Sequence, residues 1–375
     1  MSEPGSPEGT PAPTRPLSAI VLAAGEGTRM RSARPKPLHL LCGRAMVLYV
    51  LDALRGCVVD RAVVVVGHGA ERVTKKLQEA APHVSLEFVE QHFQRGTGDA
   101  VMVGLTASPE DDLDDGDIVV LPGDTPLLRA ETVANLVREH RLSGAACTIL
   151  TAELDDPTGY GRVVRQKDGL VARVVEERDA SREERTVREV NTSIYCFRRS
   201  VLAPALRRIT PDNSQGEYYL TDVIEVLRTA GYAVVPVVAA DAEETHGVND
   251  RLQLARAEAE LRRRTNEAWL RKGVTMVDPD RTYIDATVEI APDVTLFPGV
   301  VLQGQTVIRH WAEIGPDTRL IDCVVGENAR VEKTVGHDAD IGDDADVGPF
   351  VFLPPGSRVQ SGARTGPFYT AGGEP

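Results

Sequence analysis

The chain has 375 residues, of which 42% are hydrophobic and 26% charged, and its 42 Lys and Arg against 56 Asp and Glu give a formal net charge of −14. At ~150 residues per domain that length corresponds to about two domains, and it is ample to bury a core. The acidic balance argues against a broad nucleic-acid or anionic-membrane surface, and it leaves room for a small basic pocket facing a phosphorylated molecule.

Residues 1–16 are rich in Pro, Gly, Ser and Glu with no apolar stretch, and read as a disordered tail rather than a targeting signal. From Leu17 the pattern becomes strand, loop, helix. LSAIVLA (17–23), RAVVVVG (61–67), VSLEFVE (84–90) and DIVVLPGD (117–124) are β-branched or apolar runs, and helices are predicted near 45–55, 70–80, 97–107 and 130–140. Continuous Val/Ile runs alternating with helices predict a parallel sheet covered on both faces. EDDLDDGD (110–117) carries six acidic residues in eight and reads as a solvated loop, since adjacent carboxylates without His or Cys are a poor metal cluster. Shorter strands between 145 and 240 predict a mixed extension of the sheet, which makes 17–248 one α/β, Rossmann-like domain. Residues 249–273 read as one long charged helix joining two domains.

After that helix the period changes. Ile284, Ile290, Leu296, Leu302, Ile308, Ile314 and Leu320 recur every six residues, and Val288, Val294, Val300, Thr306, Ala312 and Thr318 lie four residues after the first six of them. A spacing of six matches a left-handed parallel β-helix, in which each flat face contributes one inward aliphatic residue per rung. The phase slips after Leu320 and resumes at Ile341, Val347, Leu353 and Val359, so 274–375 is assigned to a short β-helix.

Five cysteines, Cys42, Cys57, Cys147, Cys196 and Cys323, are scattered without a CxxC pair. They read as reduced thiols of a cytoplasmic protein. No apolar run reaches the ~18 residues of a membrane span.

The residues that carry chemistry begin at the end of the first strand, in LAAGEGTRMRSARPKPLH (22–39). Gly25 and Gly27 let the backbone pass close to a ligand, and Arg29 and Lys36 place two cations beside that loop, an arrangement suited to a triphosphate. A plain surface loop remains the alternative, because neither a GxGxxG fingerprint nor a Walker A motif is present. Gln91 has an amide able to pair with a base edge; Gly96 and Thr97 open a helix whose first N–H groups attract polar groups. Asp124 ends a strand at the carboxyl edge where ligands of α/β sheets bind, and can hold Mg²⁺ or simply form a turn. Asn249 can ligate a metal or cap the long helix.

LAAGEGTRM followed by PKPLH resembles the signature of sugar-1-phosphate nucleotidylyltransferases, and most closely the uridylyltransferase half of the bifunctional bacterial family that makes UDP-N-acetylglucosamine. EQHFQRGTGDAV (90–101), LPGDTPLL (121–128), PTGYGRVVR (157–165), VVEERDA (174–180), EVNTSIY (189–195), QGEYYLTDVI (215–224) and GVNDRLQLA (247–255) follow in order. The resemblance spans about 17–360 and implies UTP and N-acetylglucosamine 1-phosphate as substrates, with Mg²⁺ as cofactor. It assigns Arg29 and Lys36 to catalysis. Leu22, Ala23, Ala24, Gly25, Gln91, Gly96, Thr97 and Gly123 fall at the nucleotide, and Gly161, Glu176, Asn191 and Thr221 at the sugar phosphate, where Tyr219 either joins them or packs its helix. Asp124 and Asn249 fall on the metal. It further implies a product used for peptidoglycan and a homotrimer built on the β-helix.

Three departures stand out. Ser193 replaces a common glycine, Asp99 stands where histidine or alanine is usual, and Pro354 replaces the arginine of LRPG. The later segments that carry the family's acetyltransferase site have no counterpart, so no acetyltransferase activity is expected. The same chemistry on another sugar 1-phosphate and a non-catalytic binding protein are the alternatives; a β-helix acyltransferase is disfavoured by the short C-terminus.

Overall fold

The computed structural model describes residues 15–80, 85–107 and 116–371, in two compact units. Residues up to Leu38 and Met46–Asn249 form the first, and His39–Ala45 with the chain from Asp250 form the second. The predicted tail, apart from residues 15 and 16, and positions 110–115 of the acidic run lie outside the described residues.

The first elements are β1 (Leu17–Ala23), the two-residue strands β2 (Leu40–Leu41) and β3 (Arg44–Ala45), and α1 (Met46–Ala53). Then come β4 (Arg61–Val66), α2 (Ala70–Ala80), β5 (Leu86–Glu90), α3 (Thr97–Thr106), β6 (Asp117–Pro122) and α4 (Ala130–Ser143). Apart from β2 and β3, which were not predicted, these agree with the predicted spans to within a few residues. β7 (Cys147–Glu153), β8 (Arg162–Arg165), β9 (Val171–Val175), β10 (Glu189–Arg198), α5 (Arg199–Leu206), α6 (Asp222–Thr229) and β11 (Val234–Val238) complete the first unit.

Its sheet has the order β11-β7-β10-β6-β1-β4-β5, with β8 and β9 attached beside β10. β1 runs parallel to both β4 and β6, and β10 is antiparallel to β6 and β7. Ile20, Val63, Val65, Ile118 and Val120 from the Val/Ile runs lie in one buried cluster with Phe197 and Leu202. Two-sided burial is what makes these strands continuously apolar rather than alternating. From β1 the chain steps outward to β4 and β5, then returns across to β6 on β1's other side. The carboxyl ends of β1 and β6 therefore flank the point where strand order reverses, the place where open α/β sheets leave a crevice for ligands.

Of the acidic run, Asp117 departs from the solvated reading. It heads β6, is buried, and pairs with Arg141 at 3.0 Å, with His140 Nε2 at 3.5 Å.

The second unit begins with a segment that sequence reading placed in the first. Leu40 pairs with Ala45 and Leu41 with Arg44 in a tight hairpin, whose turn residues Cys42 and Gly43 have φ of 43° and 74°. Cys42 N–H donates to Glu258 Oε2 at 2.7 Å, and the Cys42 carbonyl accepts from Ala286 N–H at 2.9 Å. A Cβ at Gly43 would lie 2.3 Å from the Asp285 carboxylate. Gly43→Ala thus adds a collision to an already left-handed residue, and is expected to destabilise the second unit by about 1–3 kcal/mol. Urea unfolding checks this; an unchanged midpoint would contradict it.

Helix α7 (Arg251–Arg271) belongs to this unit and is capped by Asp250, whose carboxylate accepts from Gln253 N–H at 2.8 Å. Beyond it, fifteen short strands form three five-stranded parallel sheets, a left-handed β-helix. Every predicted inward aliphatic residue is buried. Tyr283 pairs with Val301, eighteen positions on, and Val301 with Arg319. The lost phase has a direct explanation. Ile314 pairs with Val331, seventeen on, and Leu320 with Gly336, sixteen on. Corners are shortened there, and the inward residues are Val325, Val331 and Gly336. A Cβ at Gly336 would sit 3.0 Å from Leu320 Cδ2 and 3.2 Å from Cys323 Sγ, so no aliphatic residue marks that rung.

All five cysteines are free thiols, four of them buried. Among the described residues, no helix is long and apolar enough to cross a membrane.

Candidate active site

A cavity of about 690 Å³ opens at the reversal point of the first unit. Leu22, Ala23, Ala24 and Gly25 line it from the end of β1, and Pro122, Gly123 and Asp124 from the end of β6. Gly123 N–H donates to the Leu22 carbonyl at 2.8 Å, which ties the two strand ends together.

Lys36 lies between Pro35 and Pro37, whose rings fix the backbone on either side of it. The loop before it turns at Gly27, with φ 64°, where a Cβ would meet Lys36 Cβ at 2.7 Å. Glycine is therefore required for the loop to close over the lysine stem. Lys36 Nζ forms an ion pair with Asp124 Oδ2 and donates to Asn249 Oδ1 at 2.8 Å. Asn249 reaches this point because Val248 N–H donates to the Asp124 carbonyl at 2.8 Å. Arg29 is exposed and does not line the cavity; its Nη2 donates to Asn249 Oδ1 at 3.0 Å. Asp124 sits in the turn after β6 with its carboxylate facing a cation, and the cap of α7 is Asp250 rather than Asn249.

Gln91 is 4% exposed and lines the cavity, its N–H donating to the Val66 carbonyl at 2.8 Å. Its amide nitrogen donates to Asp99 Oδ2 at 2.7 Å. Gly96 and Thr97 line the cavity beside it, at the start of α3.

Gly161, Glu176 and Asn191 line the same cavity. The register of β10 against β7 shifts between Asn191 and Ile194, and Ser193 in that bulge has φ 62°. Bulges re-aim side chains. Here Asn191 Oδ1 accepts from Ser193 N–H at 3.0 Å, and Thr192 Oγ1 donates to the Leu150 carbonyl at 2.7 Å. The left-handed φ explains why glycine suits position 193. Thr221 does not line the cavity. It is buried and donates to Glu176 Oε1 at 3.1 Å, so it steadies the carboxylate. Tyr219 also stays off the wall and accepts from Gln215 Nε2 at 2.7 Å. Tyr160, Gln94, Glu217 and Thr245 line the cavity as well and were not singled out from the sequence. Tyr160 stands between Gly159 and Gly161, and that glycine bracket was its only signal.

Burial pushes the Glu176 carboxyl above the usual carboxylate range; Asp222, Asp179 and Glu217 add to this, and the Thr221 hydrogen bond opposes it. Asp222, the first residue of α6, is pushed up to about 6, first by burial and then by Glu225 and Asp179. A carboxyl with a higher pKa folded than unfolded binds its proton first in the folded state. Stability then rises as pH falls from about 6 towards the ordinary value, and is lost as pH rises through that window. Asp222→Asn is expected to stabilise the protein at pH 7 by about 1 kcal/mol, a figure discounted for half-exposure. It should also flatten the thermal midpoint against pH between about 4 and 6; a wild-type slope in the variant would contradict this.

Comparison with known proteins agrees with the geometry. Residues 19–218 match the MobA-like NTP transferase domain family. The bifunctional protein GlmU of Streptomyces avermitilis is 48% identical over 355 residues, covering 94% of this chain and 73% of that protein. GlmU of Halalkalibacterium halodurans is 44% identical over 350 residues, 93% of this chain and 75% of its own. GlmU of Corynebacterium efficiens is 46% identical over 355 residues, 94% and 72%. With a nucleotidyltransferase domain across more than half its length and this identity across nearly all of it, the chain belongs to the MobA-like NTP transferases and, among them, to the GlmU family.

Proposed function

We propose that the protein transfers a uridylyl group from UTP to N-acetyl-α-D-glucosamine 1-phosphate, releasing pyrophosphate and UDP-N-acetylglucosamine. The observation that carries this reading is the meeting of Lys36, Asp124 and Asn249 inside one cavity that Gln91 and Glu176 also line, the latter steadied from behind the wall by Thr221. A sugar-phosphate oxygen attacks the α-phosphorus, and the bond to the β-phosphate oxygen breaks, its electron pair leaving with pyrophosphate. The nucleophile is already ionised at neutral pH, so no general base is needed; positioning and charge carry the barrier. Lys36 supplies fixed positive charge to the transferring phosphoryl group, and Arg29 to the departing pyrophosphate. Glu176 accepts from sugar hydroxyls, and Asn191 bonds hydroxyl or acetamido groups.

Asp124 and Asn249 fit Mg²⁺. Both are hard oxygen donors, and both already meet one cation, the Lys36 ammonium. Among the described residues no cluster of three or more His, Cys, Asp and Glu side chains is placed to hold a metal. When bound, Mg²⁺ would supply divalent charge to the reacting phosphates.

The same reading carries a homotrimer and a cytoplasmic location. Phe350 and Phe368, stacked at 5.4 Å, are 54% and 77% exposed on the β-helix, an apolar surface consistent with self-association. Sedimentation gives the stoichiometry.

Pyrophosphate release with Mg²⁺ and UTP, across N-acetylglucosamine, N-acetylgalactosamine, glucose and glucosamine 1-phosphates, tests the proposal. Preference for N-acetylglucosamine 1-phosphate is expected. Preference for another sugar would keep the mechanism and move the substrate; no release from folded protein would favour a binding role.

A further inference from the structure

The amide of Gln91 is held by a neighbour outside the cavity wall. Asp99, in the first turn of α3, accepts from Gln91 Nε2 at 2.7 Å, and the Gly96 carbonyl accepts from the same nitrogen at 3.4 Å. A side-chain amide has two N–H donors and one carbonyl, whereas a carboxylate only accepts. Nitrogen must therefore face Asp99, and the orientation of the amide follows from chemistry. Both N–H groups are engaged. Among the described residues no donor reaches Gln91 Oε1, so the edge Gln91 offers a ligand is an acceptor alone.

We propose that Asp99 is a positioning residue that sets nucleobase selectivity by locking Gln91 as an acceptor. Uracil and thymine carry a hydrogen on N3 and donate it to Oε1. Cytosine carries a lone pair on N3, and the locked amide sets lone pair against lone pair. In a site this buried, the mismatch leaves an acceptor unpaired on each side, which costs far more than a missing contact in water. Without Asp99 only the longer contact to the Gly96 carbonyl holds the amide, which can then turn over and present N–H to cytosine. The inference rests on the uridylyltransferase reading above. It also gives Asp99 a place at Gln91 rather than at Glu176 or Asn191.

The test is the ratio of kcat/KM for UTP to that for CTP in the full chain, with sugar 1-phosphate saturating. Asp99→Ala is expected to lower this ratio at least about tenfold, since one well-made base contact discriminates by that order. Asp99→Asn keeps the volume and lets either end of Gln91 face it, so it should lower the ratio too. If Asp99→Ala does not fold, Asp99→Asn decides. In a Gln91→Ala background the Asp99 substitutions should leave the ratio unmoved, because the effect passes through Gln91. Asp99 also lies where an acidic residue favours the start of α3. A purely helix-stabilising role would lower the thermal midpoint, weaken both nucleotides alike and leave the ratio at wild type; that result overturns the proposal. Wild-type protein with no preference for UTP over CTP would overturn both the proposal and the reading it rests on.

Discussion

Asp124→Ala is expected to lower kcat for pyrophosphate release by about 10²–10³, the usual cost of deleting one preorganised electrostatic contact to a reacting group. The substitution removes one of the two oxygens that meet at a single cation, and leaves Lys36 Nζ with the Asn249 oxygen. The loop itself should persist, because the Asp124 backbone carbonyl still accepts from Val248 N–H. KM for UTP should therefore change less than kcat, the pattern of an interaction realised in the transition state. Turnover near wild type in a folded variant would remove Asp124 from the mechanism and the metal assignment with it.

Lys36→Met should cost a similar factor, about 10²–10³ in kcat. Methionine keeps much of the stem that fills the turn at Gly27, while the flanking prolines hold the backbone. What disappears is the ammonium that meets both the Asp124 and the Asn249 oxygens. Lys36→Arg is not expected to restore activity. A planar guanidinium cannot take the place of a compact ammonium in a site where the side chain is only 13% exposed. Full activity in Lys36→Arg would show that only charge, not its placement, matters. A thermal midpoint close to wild type in Lys36→Met would separate lost chemistry from lost fold.

The strands of the first unit were legible because two-sided burial writes itself into the chain as uninterrupted Val and Ile, as in 61–66. The β-helix was legible because each rung must point one aliphatic residue inward. Both signals failed where side chains carry no hydrophobic mark. The hairpin at 40–45 is recorded only by a Cys–Gly pair in left-handed φ, and its placement in the second unit depends on Glu258, Asp285 and Ala286, far along the chain. The same holds at the site. Glycine loops and strand-end carboxylates are local and were found. The pairing of Gln91 with Asp99 and the support of Glu176 by Thr221 are side-chain encounters created by tertiary packing. Arg29 was singled out from a local motif, while its contact with Asn249, 220 positions on, is again made by tertiary packing.

The uneven corners of the β-helix have a consequence for how that solenoid assembles. In a stack of identical eighteen-residue turns, each rung would find an equivalent partner one coil too far along, so a slipped alignment would differ little in energy from the correct one. The turns through Val325, Val331 and Gly336 remove that equivalence. Gly336 lies between Leu320 and Leu353, and has room for no side chain there. A slip of one coil would set a glycine void against a rung built for a branched residue, and crowd a branched residue into the place of a hydrogen. The shortened coils thus act as an indexing mark, giving an otherwise repetitive strand stack a single register in which to close.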